Sequence, residues 1–272
     1  MKSYLELVEH VLEHGVLKEN RTGTDTLMSF GYHYKVDLSK GFPLLTTKKI
    51  FFKSVIHELL WYLSGETHIR NLRKHTKIWD AWTSESKNWE VGKMYGYQWV
   101  NWEKFDKDKK TGLIKKSHIN QIDEAIKLIK NNPNSRRIIV SAWNPAVLDE
   151  IALPSCHAFF IFSVVNNKLN CHLTQRSGDI ALGIPFNLAC YATLTQMIAQ
   201  ETNLELGEFS HYINDAHIYV NHIDGMKEQL KRQPYDLPNL KINKKPFWDL
   251  KFDDFILENY NHHPAIKFPV AV

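Results

Sequence analysis

The spacing of apolar residues along the chain predicts several amphipathic helices. Leu5, Val8 and Leu12 recur at three- and four-residue intervals, which places them on one face of a helix from Tyr4 to Leu17, with Gly15 helping to end it. Glu58 lies at the margin of the apolar stripe of a second helix, which is predicted at residues 51–63. Helical spacing or a helix-start signal predicts the remaining helices at residues 119–130, 185–201 and 221–232.

Runs of apolar or alternating residues predict the strands. Residues 138–143, which are apolar except for Ser141, and the continuous apolar run 158–162 are typical of buried strands. Residues 214–219 alternate, so Asp215, His217 and Tyr219 should line one face of a strand. Residues 104–116 are rich in lysine and contain Thr111-Gly112, which predicts a solvated surface loop. No internal repeat and no clear linker divides the chain.

A cysteine begins one of these strands. Asn166-Asn167 is a turn signal between two strand-forming runs, so residues 156–179 should form a hairpin. A two-residue loop would place Cys156 opposite Ser177, and a three-residue loop would place it opposite Arg176. Either register brings the guanidinium of Arg176 within reach of the sulfur. A nearby cation favours the nucleophilic thiolate, although a small buried cysteine is the commoner explanation.

Composition narrows the class of protein without choosing a function. The 272 residues are 43% apolar, carry a formal net charge of +4 and include only three cysteines, too few and too scattered for a disulfide framework or a zinc site. No apolar run reaches membrane length, and the N-terminus lacks a signal peptide, so we expect a cytoplasmic protein without a membrane span or a resident metal. The charge is too diffuse to predict nucleic-acid binding.

Four further groups could carry chemistry, each with an ordinary alternative. Arg21 lies in a loop with hydroxyls and a glycine that suits an anion, or it is simply solvated. Glu58 is either a structural edge residue or a partly desolvated proton carrier. Asn187, near a helix N-terminus, either caps the helix or reads an amide edge. Arg136 and Arg137 open a strand and could clamp an anion or meet a partner subunit.

Aromatic residues are concentrated in residues 79–99, where their flat faces suit a planar heterocycle or ordinary core packing. Together with the segments above, they make the chain resemble thymidylate synthase over nearly its whole length. The motifs that carry the resemblance are, in order, Arg21-Thr22-Gly23-Thr24, His57-Glu58-Leu59-Leu60-Trp61, Ser135-Arg136-Arg137-Ile138, Leu153-Pro154-Ser155-Cys156-His157, Gln175-Arg176-Ser177-Gly178-Asp179, Leu182-Gly183-Ile184-Pro185-Phe186-Asn187 and Asp215-Ala216-His217-Ile218-Tyr219.

The resemblance implies an α/β (α+β) fold: one catalytic domain over residues 1–272, built on a mixed β-sheet flanked by helices, in a homodimer with sheets back to back. It also implies the reductive methylation of dUMP to dTMP by 5,10-methylenetetrahydrofolate, through a covalent bond from Cys156 to C6 of the pyrimidine. The catalytic residues that it implies are Cys156, Glu58, Arg176, Tyr95 and Asp179, with His157 in support.

The resemblance implies binding residues as well. The nucleotide would be bound by Arg21, Arg176, Ser177, Gly178, Asp179, Asn187, His217, Ile218 and Tyr219, and by Arg136 and Arg137 of the other subunit. The folate would meet Asp179, Trp79, Phe51 and the tail around Ala271.

The chain departs from the family pattern at a few places. Ser155 replaces a proline before the nucleophile, Phe51 replaces a histidine of some bacterial members, and Ile213-Asn214 replaces a glycine-containing turn. The segment 104–116 is also longer than in compact members.

Three other functions remain to be weighed. A pyrimidine hydroxymethylase shares this framework, but Asn187 argues against a cytosine substrate. A cysteine hydrolase would need His157 as base, yet neighbours on a strand point to opposite faces. A nucleic-acid-binding protein would need basic residues interleaved with stacking aromatics, which the lysine-rich surface lacks.

Overall fold

The computed structural model describes residues 1–271, in which six α-helices surround ten strands. The helices are α1 (Lys2–His14), α2 (Phe52–Ser64), α3 (Gly96–Val100), α4 (Gln121–Asn131), α5 (Gly183–Thr202) and α6 (Ile223–Leu230). The strands are β1 (Val16–Lys18), β2 (Thr26–Asp37), β3 (Trp102–Lys107), β4 (Ile114–Ile119), β5 (Ile139–Ser141), β6 (His157–Val165), β7 (Lys168–Asp179), β8 (Glu205–Tyr219), β9 (Asn239–Ile242) and β10 (Phe255–Glu258).

A six-stranded mixed sheet organises the fold, and its strand order is β1-β2-β8-β7-β6-β5. All its neighbours are antiparallel except β7 and β8, which run parallel with α5 as their crossover. Helix α5 is apolar on most sides, and its buried residues pack against the sheet. The predicted α/β class with a mixed sheet flanked by helices is therefore confirmed.

One face of the sheet is the core face. Phe160, Leu173 and Phe209 are fully buried there, together with Leu59 of α2 and Tyr191 of α5. On the other face, Ile139, Phe159 and Ile161 remain partly or largely exposed. The strands therefore alternate between a packed face and an open one.

The structure corrects three boundaries from the sequence. The first helix ends at His14, not Leu17, because the chain after Gly15 pairs as β1 along the edge of β2. The predicted buried strand at 138–143 is only Ile139–Ser141, and Ile139 is 45% exposed because its side chain lies on the open face of the sheet, whereas Val140 on the core face is buried. The predicted helix at 221–232 is shorter, since residues 220–222 form a 3-10 turn before α6.

The lysine-rich segment is solvated, as predicted, but it is not a loop. It forms the hairpin of β3 and β4, with Phe105 opposite Lys116 and Lys107 opposite Ile114. Phe105 and Ile114 are more than half exposed. The prediction was wrong because lysine content reports exposure, whereas pairing depends on the alternation of side chains along both arms.

Candidate active site

Cys156 lies at the open end of the β6–β7 hairpin. The two-residue loop is confirmed: Val165 pairs with Lys168, and Asn166 and Asn167 have φ of 49° and 61°, as a tight hairpin turn requires. A bulge between His157 and Phe159 then shifts the register, so that His157 pairs with Gln175. Cys156 precedes His157 and Arg176 follows Gln175, so these two residues are the next to face each other. Arg176 N donates to Cys156 O at 2.9 Å. Arg176, not Ser177, therefore stands opposite the thiol.

The guanidinium of Arg176 is held against the sulfur by backbone carbonyls. Its Nη2 donates to Pro154 O at 2.6 Å, its Nε donates to Ser155 O at 3.1 Å, and Nη2 lies 3.5 Å from Cys156 Sγ. Cys156 itself is only partly buried. A partly exposed thiol beside a fixed positive charge is the environment of reactive rather than structural cysteines.

Tyr95 fixes the backbone on the other side of Cys156. Its hydroxyl accepts from Cys156 N at 2.7 Å, which leaves the hydroxyl hydrogen free to donate. Tyr95 has φ of 30°, a strained value for a residue with a side chain. Burial, and then the charge of Cys156, raises the pKa of Tyr95 well above its ordinary value, so the phenol stays neutral.

Glu58 lies on α2 and is buried among aromatic side chains. Trp79 Nε1 donates to Glu58 Oε1 at 2.7 Å, and the Trp79 ring lies 5.9 Å from that of Tyr95. Burial raises the pKa of Glu58 to about 7, although hydrogen bonds from Trp79 and Tyr62 oppose the shift. A carboxyl group with this pKa can both give and take a proton near neutrality.

His157 faces the core, away from the sulfur. Its ring packs against Tyr95 at 4.9 Å and Tyr191 at 5.5 Å, and the residue is buried. Burial lowers the pKa of His157 to about 3. A histidine in this position is neutral and lies on the opposite face of the strand from Cys156, so it is badly placed as the base of a cysteine hydrolase.

A chain of buried hydrogen bonds sets the orientation of Asn187. His211 Nε2 faces Gln175 Oε1 at 2.9 Å and must be the donor, so His211 Nδ1 accepts from Tyr34 Oη at 2.8 Å. Gln175 Nε2 then donates to Asn187 Oδ1 at 3.0 Å. This leaves the Asn187 amide NH₂ as the group free to donate. Sequence reasoning named Gln175 only as part of a motif, without a role, and missed His211 and Tyr34, whose only signal is a polar residue at an inward strand position.

The parallel register of β7 and β8 brings two of the sequence motifs side by side. Ser177 pairs with Asp215, and Asp179 pairs with His217. His217 Nδ1 lies 2.9 Å from Asp215 Oδ1, and Lys18 Nζ lies 2.7 Å from Asp215 Oδ2. Burial by itself would raise the pKa of Asp215, but the bonds to His217 and Lys18 outweigh burial, so the pKa of Asp215 is lowered.

The loop that carries Arg21 lies next to the end of β8. Burial and the charge of Asp179 raise the pKa of Tyr219, and a hydrogen bond with Thr22 and the charge of Arg21 act in the opposite direction. Arg21 is exposed. A phosphate-sized anion could therefore meet Arg21 close to Tyr219 and the β7–β8 pair.

Two of the predicted nucleotide contacts can only use their backbone. A Cβ on Gly178 would lie 2.7 Å from Ile184 Cδ1 and 2.9 Å from Ile213 Cγ2, so this glycine permits close packing. Ile218 is fully buried in the core. Neither residue presents a side chain to a ligand.

The residues predicted for a folate are at different depths. Asp179 Oδ1 accepts from Ala181 N at 2.8 Å and Leu182 N at 3.1 Å, and its side chain is 21% exposed. Trp79 is 5% exposed, Phe51 is 56% exposed, and Ala271 is partly exposed. The set offers one carboxylate and apolar surface, which are compatible with a conjugated heterocycle bearing N–H donors.

Arg136 and Arg137 are exposed and lie far from Cys156 of the same chain. Because Ile139 pairs with Ile161, Arg137 is level with Ser163, seven residues along β6 from the thiol. At about 3.3 Å per residue, this separation is roughly 20 Å, beyond the reach of an arginine side chain. The two arginines therefore do not reach Cys156 of their own chain.

A partly exposed cysteine beside an arginine, with a titratable glutamate and a polar strand pair nearby, is an arrangement typical of group-transfer enzymes. A protein-family model described as thymidylate synthase matches residues 2–272. The chain belongs to the thymidylate synthase family. It is therefore a methyltransferase of dTMP biosynthesis, and the family converts dUMP to dTMP with methylenetetrahydrofolate.

Within residues 1–271, no three His, Cys, Asp or Glu side chains are grouped so that they could hold a metal ion. None of the helices in this part of the chain is long and apolar enough to cross a membrane.

Proposed function

We propose that the chain catalyses the reductive methylation of dUMP to dTMP, with Cys156 as the nucleophile. 5,10-Methylenetetrahydrofolate supplies the one-carbon unit and the hydride and leaves as dihydrofolate. The observation that carries the proposal is the contact of Arg176 Nη2 with Cys156 Sγ at 3.5 Å, at the edge of a site where Ser177 and Asp215 lie side by side.

The first chemical step requires a thiolate. The guanidinium of Arg176 supplies a positive charge next to the sulfur, and Tyr95 holds the Cys156 amide in place. The thiolate adds to C6 of the pyrimidine, so the C5–C6 double bond becomes a carbon nucleophile at C5. Once the methylene of the folate is bonded to C5, the C5 proton leaves and tetrahydrofolate is eliminated, which gives an exocyclic methylene group. A hydride from tetrahydrofolate would convert this group to methyl as the C6–S bond breaks and the thiolate leaves, so the products are dTMP and dihydrofolate.

Glu58 is the proposed proton carrier. Its pKa of about 7 lets the carboxyl group exchange protons through water at the pyrimidine, and Trp79 fixes one carboxyl oxygen. Tyr95 keeps a free hydroxyl hydrogen that can serve the same water. His157, neutral and buried, packs behind Tyr95 and supports its position.

The nucleotide is held by groups at the strand ends. Arg21, Arg176 and Ser177 would bind the phosphate, and His217 and Tyr219 would bind the deoxyribose hydroxyl. The Asn187 amide, free to donate, suits O4 of uracil, and its oxygen can accept from N3–H. Gly178, Asp179 and Ile218 would contribute by backbone or by position.

The folate fits the residues proposed for it. Asp179 would accept from the N–H groups of the pterin, since its Oδ1 is already fixed by Ala181 and Leu182. Trp79, Phe51 and Ala271 would give apolar contact. Phe51 offers an exposed ring where a histidine would offer a hydrogen bond.

The proposed enzyme is a homodimer whose sites are shared. The distance of roughly 20 Å between Arg137 and Cys156 along β6 supports a phosphate contact from a second copy. We propose residues 1–272 as one catalytic domain. Its cytoplasmic location stays a prediction, which fractionation of expressing cells would test.

The decisive experiment follows both products in one reaction. Purified chain is mixed with dUMP tritiated at C5 and with methylenetetrahydrofolate; released tritium and dihydrofolate absorbance are then measured. We expect both in equal amounts. Tritium release without dihydrofolate would contradict the proposal and favour transfer of the carbon to water, as in a hydroxymethylase.

The nucleophile has its own test, Cys156→Ser. The hydroxyl is far less nucleophilic than a thiolate, so turnover should fall by at least about 10³-fold while dUMP binding changes little. Cys171→Ser, a buried cysteine away from the site, is the matched control. Near-normal activity of Cys156→Ser would refute the assignment.

A further inference from the structure

Four polar side chains form a row across the open face of the sheet, on three neighbouring strands. His172 of β7 pairs with Ile161 of β6 and with Ser210 of β8, so its side chain lies on the same open face as Ile161. Ser210 Oγ lies 2.9 Å from His172 Nδ1 and 2.8 Å from Nε2 of His33 on β2. At the other end, His172 Nε2 lies 3.2 Å from Thr174 Oγ1. His33, Ser210, His172 and Thr174 form this histidine row, in which one hydroxyl group joins two imidazoles.

The single hydrogen of the Ser210 hydroxyl limits how many protons the histidine row can hold. Ser210 can donate to only one of the two imidazoles, so the other imidazole must donate to Ser210. With both histidines neutral, the donors can run in one direction along the whole row. If both were protonated, both would donate to Ser210 Oγ, and its hydrogen would have no acceptor within the row. Two positively charged rings would also stand with their centroids 6.3 Å apart. The row is therefore satisfied when at most one of its histidines is charged.

The charged groups that face the row from the neighbouring strands do not favour a second proton. Lys35 of β2 and Glu208 of β8 offset each other, since their Nζ and Oε2 atoms are 3.1 Å apart. The next charged group on this face of β7 is Arg176, which is positive. On the core side of β8, burial and then the charge of His157 lower the pKa of His211 well below its ordinary value, so this imidazole is neutral. The side chains paired directly with the row carry a phenol or apolar groups: Tyr212, Phe159 and Ile161.

His172 is harder to protonate than an ordinary histidine even in the single chain. It is half-buried, and burial and then the charge of His33 lower its pKa. A homodimer with sheets back to back would cover the open face and remove more water from the row, which disfavours the charged form further. A two-fold interface uses the same patch of both copies, so it would contain the row twice and hold four imidazoles.

We propose that the histidine row makes the contact between the two copies of the chain sensitive to pH, so that acidification separates the homodimer. This inference rests on the proposed homodimer with back-to-back sheets. Because the neutral imidazoles are favoured in the dimer, the separated chains bind more protons, and the dissociation constant rises as pH falls below the ordinary histidine pKa of about 6.5. Separation would also take Arg136 and Arg137 away from the partner's site, so turnover would be lost with it.

The test measures the dissociation constant of the homodimer at pH 7.5 and at pH 5.5. Two batches of purified full-length chain, labelled at the N-terminus with a fluorescent donor or an acceptor, are mixed and diluted, and energy transfer reports the fraction of dimer. An imidazole with a pKa near 6.5 that takes up a proton only on separation contributes about tenfold between these pH values. With one such imidazole in each copy, we expect the wild-type dissociation constant to be about 100-fold higher at pH 5.5.

The decisive variant is His33→Gln/His172→Gln. A glutamine side chain donates and accepts hydrogen bonds as a neutral imidazole does, but it binds no proton near neutrality. The double variant should therefore still dimerise, and its dissociation constant should differ by less than about threefold between the two pH values. His14→Gln, which replaces an exposed histidine on α1, is the matched control and should keep the wild-type pH dependence.

Turnover gives a second readout that separates the histidine row from Glu58. Titration of Glu58 inside an intact site does not depend on protein concentration, whereas separation of the two copies does. At pH 5.5, 100-fold dilution of the wild-type chain should therefore lower the activity per chain more than the same dilution at pH 7.5. The double variant should lose equal fractions at both pH values.

The outcomes separate this inference from the proposed function. Wild-type chain that dimerises but makes no dihydrofolate at pH 7.5 would refute the proposed reaction, and the dissociation constants would still decide the role of the row. Chains that stay single at both pH values would refute the proposed homodimer and this inference together. A wild-type dimer whose dissociation constant changes by less than about threefold, or a double variant with the wild-type pH dependence, would overturn the role of the histidine row alone. If circular dichroism shows that the double variant does not fold, His33→Gln, which changes an exposed residue, decides by the loss or retention of pH dependence.

Discussion

Glu58 has an environment that sets its chemistry and also costs stability. The carboxyl group is buried, and Trp79 Nε1 satisfies one oxygen, yet its pKa still rises to about 7. The folded state therefore binds this proton more tightly than the unfolded chain, whose glutamates titrate near 4.5. Stability from this group is greatest below pH 4.5, falls as pH rises towards 7, and is lowest above 7.

Glu58→Gln should remove this pH dependence together with the activity. The shift from 4.5 to about 7 corresponds to about 3 kcal/mol, so the variant should gain up to that much stability relative to wild type between pH 4.5 and pH 8. Urea unfolding at both pH values measures it. Glu208→Gln, an exposed glutamate on β8, is the control. If Glu58→Gln and wild type differed in stability by the same amount at both pH values, the raised pKa of the buried Glu58 would be contradicted.

At the scale of elements, the close approach of α2 and α3 joins Glu58 to Tyr95. A Cβ on Gly96 would lie 1.9 Å from Tyr62 O, so only glycine allows the two helices this contact. Tyr95, directly before α3, takes its strained φ there and extends its hydroxyl to Cys156 N. The helix pair thus positions the proton carrier and the support of the nucleophile together.

Gly96→Ala should therefore damage both stability and turnover. Forcing a methyl group against the Tyr62 carbonyl should cost about 1–3 kcal/mol and move Tyr95 away from Cys156. Thermal unfolding and kcat measure the two effects. Gly183→Ala, where the nearest atom to the new methyl is 3.7 Å away, should change stability by less than about 1 kcal/mol. Equal stability of the two variants would show that the helices have room to separate.

At the scale of the whole molecule, the open face of the sheet and the distant arginines support the same assembly. Ile139, Phe159 and Ile161 lie together on that face and are not fully covered. An apolar surface of this kind is typical of protein–protein contacts. We therefore propose this face as the contact of the homodimer, in which Arg136 and Arg137 of one copy would serve the site of the other.

Mixing two inactive variants tests the shared site. Arg136→Ala/Arg137→Ala chains keep Cys156, and Cys156→Ser chains keep both arginines, so a heterodimer should contain one complete site. We expect up to about a quarter of wild-type activity per chain after random exchange of equal amounts. Each variant mixed with itself is the control. No recovery, with heterodimers shown by mass spectrometry, would refute the shared phosphate site.

The sequence by itself determined the elements and the chemical groups of this protein. Apolar spacing located α2 and α4, Pro185 indicated the start of α5, and Asn166-Asn167 predicted the tight hairpin, because helical period, helix-start signals and turn conformation are local properties. The motifs were also sufficient to predict the family. They named Cys156 and Arg176 as partners but left the register between them open.

The tertiary structure decided how those groups meet. The bulge after His157 places Arg176 opposite Cys156 despite the two-residue turn, and counting from the turn could not reveal it. The hydrogen bonds that run from Tyr34 through His211 and Gln175 to Asn187 join residues far apart in sequence, as do the bonds from Lys48 to Ala181 O and from His222 to Pro269 O. Such contacts depend on packing and strand register, which arise only when the whole sheet and its helices are assembled.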